Sequence, residues 1–98
     1  MEELRDVLGR YNQSLEELMD ARKYAVEAES CTSSEDKNMF LTLAKQELVH
    51  SELLMQSAER VVEKDEENAR VAWKALRTNL LEWKESLSQK INFIERQK

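Results

Sequence analysis

No proline and only one glycine interrupt these 98 residues, and apolar side chains recur every three or four positions from one end to the other. Sheets and tight turns draw on residues that this chain lacks. A three–four repeat is instead the mark of one face of an α-helix. The chain is therefore expected to be all-α. Long helices in so short a chain leave a small core, so self-association is expected to complete it.

The same composition excludes several classes of function. The net charge is −5, and no face of the chain is a run of Lys and Arg, which argues against a nucleic-acid partner. Mean hydropathy is −0.72, and no apolar run approaches the roughly 20 residues that a membrane helix needs. The opening MEELRDVLGR is acidic and amphipathic, unlike a secretory or transit peptide. A single cysteine, Cys31, forms no internal disulfide, and the cytoplasm or another reducing compartment is the expected location.

Three helical segments are predicted, at about 3–29, 35–63 and 68–96. In the first, the apolar face comprises Leu4, Val7, Leu8, Tyr11, Leu15, Leu18, Ala21, Ala25 and Ala28, with Gly9 the one unfavourable residue. ESCTSSEDKN then punctuates the chain, and Thr32-x-x-Glu35 matches a capping box. These features predict an antiparallel helical hairpin. The third segment carries a seam of Ala69, Trp73, Leu76, Leu80, Trp83, Leu87, Ile91 and Ile94, spaced like a coiled coil. The boundary between the second and third segments rests on EKDEENA, where Asp65 and Asn68 are weak turn formers. One bent helix from 35 to 96 is the alternative, and it would be roughly 90 Å long.

The second segment holds the chemistry. Its expected core face is Phe40, Leu43, Glu47, His50, Leu54, Ala58 and Val61, which places a glutamate and the only histidine among apolar residues. At 100° per residue, Glu47 and His50 lie within about 40° of Leu54. An unpaired carboxylate buried there costs several kcal/mol, and a cation would compensate it. Residues at i and i+3 reach one ion, and a carboxylate with an imidazole suits iron, manganese or zinc. The first helix offers Glu17 on the flank of its apolar stripe, with Tyr24 two turns further along the same side, whereas Asp20 and Glu16 point further out. With sixteen glutamates in the chain, Glu47-x-x-His50 alone is a weak signal, and a metal-free Glu–His pair in a helical interface remains open.

Glu17, Tyr24, the hairpin and Glu47-x-x-His50 together resemble the ferritin-like di-iron carboxylate superfamily. The text ELMDARKYAVEAES…FLTLAKQELVHSELL reads much like the first helix pair of rubrerythrins. That superfamily builds its site from four helices, one Glu on each of two and Glu-x-x-His on each of the others. This chain has half the set: its third segment has no second histidine, and Glu82 and Glu85 only flank the seam. Two copies would complete a site, as in the short encapsulated ferritins, whose dimer interface forms the di-iron centre.

The resemblance covers roughly residues 11–62. It implies a homodimer or higher homo-oligomer forming a four-helix di-metal bundle, with iron (or another divalent metal) held by Glu17, Glu47 and His50. Glu47 would bridge two irons, Glu17 and His50 would bind them terminally, and Tyr24 would hydrogen-bond a carboxylate or donate an electron. The implied activity is ferroxidase chemistry, Fe(II) to Fe(III). The C-terminal INFIERQK does not resemble an encapsulin-docking peptide, so an encapsulin shell is a partner only if the chain continues further. The competing reading is a metal-free interaction module that uses the 69–94 seam. Cys31 in the loop has no second thiol or histidine to work with.

Overall fold

A computed structural model describes residues 2–62 and 67–97 of the chain. Three helices account for nearly all of them: α1 (Glu2–Ser30), α2 (Ser34–Val62) and α3 (Glu67–Arg96). No strand occurs among the described residues, and no helix is long and apolar enough to cross a membrane. The first turn of α3 contains Glu67, Asn68 and Ala69, while the remainder of the expected break, residues 63–66 with Asp65, lies outside the described residues.

The chain folds back twice. α2 and α3 run antiparallel, tied by Lys45 to Glu95, Lys84 Nζ to Glu52 at 3.2 Å and Arg77 Nε to Glu59 at 3.1 Å. The longest dimension is 51 Å, which excludes the single bent helix of roughly 90 Å. Between α1 and α2 the cap falls one residue later than the capping-box pattern suggests. Ser33 Oγ accepts from Asp36 N at 3.3 Å, and Lys37 N donates to Ser33 O at 3.0 Å. Ser33 is thus the N-cap, and Asp36 complements the helix dipole in the first turn.

The α1–α2 contact follows a strict heptad on both helices. Val7, Tyr11, Ser14, Leu18, Ala21, Ala25 and Ala28 face Leu41, Ala44, Leu48, Ser51, Met55, Ala58 and Val62, with Tyr11 and Leu48 only partly buried. On α2 this is one residue on from the expected face, a rotation of about 100°. The reason is Ser51. A serine interrupts the 41–62 apolar heptad in the sequence, and apolar residues cover more than half of the helix circumference. In the fold Ser51 meets Ser14, the matching gap in α1, with their hydroxyl oxygens 2.6 Å apart and Ser14 Oγ also 3.2 Å from Ser51 O. Both are fully buried, and each satisfies the other. Alanines along α1 bring the helices close, and Arg10 Nε adds a bond to Ser57 Oγ at 2.9 Å.

α3 buries Ala69, Trp73, Leu80, Leu87, Ile91 and Ile94 against the hairpin. Its seam is thus spent within the chain, with one departure from expectation. Trp83 is 37% exposed. Lys84 is the less exposed neighbour and reaches Glu52 across α2. Trp73 follows the expected pattern, although its Nε1 is buried with no hydrogen-bond partner among the described residues.

Candidate metal centre

One turn beyond the serine pair, the same two helices bring Glu17, Glu47 and His50 together. His50 Nδ1 is 3.5 Å from Glu47 Oε1 and 3.6 Å from Glu17 Oε2. One ligand atom from each residue lies within 4.8 Å of the others. These separations are long for hydrogen bonds. They are close to the roughly 3.0–3.4 Å between neighbouring donors when metal–ligand bonds are about 2.1 Å. The donor set of two carboxylates and an imidazole suits a first-row divalent ion, so the residues fit the metal that the sequence suggests.

The carboxylates are not at ease with each other. The Glu47 carboxyl is held above its ordinary 4.5, first by a hydrogen bond with Glu17. Partial burial and the charges of Glu17 and Asp20 push the same way, and His50 partly opposes them. A cation between the carboxylates would relieve their mutual repulsion, and binding it would require Glu47 in its charged form. Asp20, read as pointing further out, is exposed but near enough for its charge to act on Glu47.

Burial corrects the expectation of a site at the centre of the core. The side chains of Glu47, Glu17 and His50 are 18%, 28% and 55% exposed. They line the flank of the hairpin because the heptad rotation moves Leu48 and Ser51 into the positions expected for Glu47 and His50. The flank is the one turned away from α3. On α2 the residues paired with α3 are Lys45, Glu52 and Glu59, about 120–180° from Glu47 and His50 at 100° per residue. On α1, Tyr11 accepts a bond from Asn79 Nδ2 at 2.8 Å and Glu29 pairs with Lys90 at 2.9 Å, about 120° from Glu17.

Tyr24 lies two turns along α1 from Glu17, with its ring stacked on Phe40 at a centroid distance of 6.4 Å and an interplanar angle of 27°. Phe40 stands two turns before Glu47 on α2, so the aromatic pair is the next layer along this flank. Sequence reasoning passed over Asp20 as a neighbour of the site, and it missed the buried serines beneath it. No family model, curated protein or solved structure matches this chain.

Proposed function

We propose that the protein binds Fe(II) as substrate at a centre completed by two copies of the chain, and oxidises it to Fe(III). The observation that carries this reading is the convergence of Glu17, Glu47 and His50 from two helices onto one small volume. Three donors from one chain leave an ion short of ligands and open on one side. A twofold mate over the same flank supplies a second Glu17, Glu47 and His50. That flank is also apolar: Met39 and Leu53 are exposed and Leu43 and Leu54 half-buried, all within about 60° of His50 around α2. Two such faces in contact form a four-helix bundle from two hairpins, with each α3 on the outside.

Two Fe(II) ions held there each give one electron. Dioxygen takes both with two protons and leaves as hydrogen peroxide. With hydrogen peroxide as the oxidant, the same two electrons and two protons cleave its O–O bond to give two waters. Glu47 would be shared between the two ions, with Glu17 and His50 binding on either side. Carboxylate oxygen favours the harder ferric product. Tyr24 is the nearest redox-capable side chain along the flank. The flank's apolar residues keep bulk water from the paired charges, which strengthens every electrostatic interaction between them.

The test is aerobic iron oxidation followed in the near ultraviolet, on chelator-stripped protein. Wild-type chain is expected to oxidise Fe(II) well above the buffer rate, and Glu47→Ala and His50→Ala to fall to background. Variants that oxidise iron as fast as wild type would overturn the proposal. The competing use of the 69–94 seam as a partner surface is disfavoured, since those residues fill the chain's own core.

A further inference from the structure

The opposite side of α1 carries an apolar seam left largely uncovered by the other described residues. Leu8, Met19 and Val26 are exposed, Met19 by 56%, and Leu15 is only partly buried. Leu15, Met19 and Val26 line a groove of about 380 Å³ whose far wall is Trp83. With Asn12 and Arg22 between them, these residues step 8, 12, 15, 19, 22, 26, the alternating four and three of a coiled-coil contact line. A seam of this kind on a helix exterior marks an interaction site. Arg22 forms no ion pair among the described residues.

From this we infer that α1 pairs with α1 of a second copy, antiparallel, about a twofold axis at the level of residue 17. The pattern itself names the occupant. In that register Leu8 meets the second copy's Val26, Leu15 meets its Met19, and Asn12 meets its Arg22. Apolar residues face apolar residues throughout, and the Arg22 guanidinium donates to the Asn12 carbonyl oxygen. A shift of one heptad in either direction sets Asn12 against Leu15 or Arg22 against Met19, leaving a polar group unpaired. Parallel pairing sets Arg22 against Arg22, a like-charge contact. Only the antiparallel register matches all six positions, and it is isologous, as a twofold contact requires. Trp83, beside Met19 and Arg22, widens the contact to α3. The seam lies about 140–180° around α1 from Glu17, so it is separate from the proposed metal-binding flank and its formation does not depend on iron.

The experiment is disulfide trapping in a full-length chain with Cys31→Ser. An equimolar mixture of Leu8→Cys and Val26→Cys chains is expected to give mixed cross-linked dimers on mild oxidation. Either variant alone is expected to give none, because like positions are separated by about 27 Å along the helices. Adding Met19→Glu, an exposed position whose change leaves the core intact, should reduce the mixed product at least tenfold. Cross-linking of either single variant alone, no mixed product, or a yield indifferent to Met19→Glu would each overturn the inference.

Discussion

Two polar contacts sit one turn apart between α1 and α2, and they are built on opposite principles. Ser14 and Ser51 are fully buried and complete each other's hydrogen bonding. Glu17, Glu47 and His50 are partly open to solvent, and the Glu47 carboxyl is held above its ordinary value by its contact with Glu17 and by partial burial. The serine pair is what a helix interface does with polarity when it needs only to pack closely. The acid–imidazole cluster keeps an unfavourable arrangement, and such arrangements gather where a ligand resolves them. The same pair of helices therefore contains its own control.

The contrast is sharpest in the response to losing one partner. Glu47→Gln is expected to abolish iron oxidation while leaving the metal-free fold at least as stable near neutral pH, because it relieves the contact with Glu17. A melting temperature well below wild type would show that the cluster is structural, like the serines. Ser14→Ala should do the reverse. It leaves the buried Ser51 hydroxyl short of its partner, at a cost of about 1–3 kcal/mol, with iron oxidation retained. The double variant Ser14→Ala/Ser51→Ala should cost less than the sum of the singles, as a double-mutant cycle by chemical denaturation would read.

Acidity separates the two contacts as well. Glu47 has a raised folded value, so the fold holds this proton more tightly than the unfolded chain does. The resulting stability is complete below the unfolded value near 4.5 and is lost as pH rises through the higher folded one. Metal binding must displace the same proton, so affinity should rise with pH through that interval. Melting temperatures of metal-free wild type and Glu47→Gln, compared from pH 4 to 7, should diverge in that sense. Parallel curves would remove the Glu47 proton from the account.

Much of this was legible in the residues. The helix count, the hairpin and the convergence of Glu17, Glu47 and His50 on one flank were readable from spacing and from the absence of proline. The face of α2 did not, because its deciding residue is a serine that pairs only with another serine 37 positions away. Trp83 misled for a related reason: a four–three seam fits 83 or 84, and it is Lys84, paired with Glu52, that is the less exposed of the two. Spacing along one helix identifies candidate faces, and contact between helices selects among them.

The smallest expected effect lies far from both contacts. A methyl group added at Gly9 meets nothing within 4 Å, and glycine within a helix costs about 1 kcal/mol relative to alanine. Gly9→Ala should stabilise the chain by up to about that amount in urea unfolding, with iron chemistry unchanged.

The most direct test of the central claim is a crystal of chelator-stripped protein soaked in Fe(II) without oxygen, with iron located by anomalous scattering. Two irons related by a twofold axis are expected, each within bonding distance of Glu17, Glu47 and His50 side chains, with two chains sharing them. Iron absent from these side chains, or one iron bound by a lone chain, would contradict it.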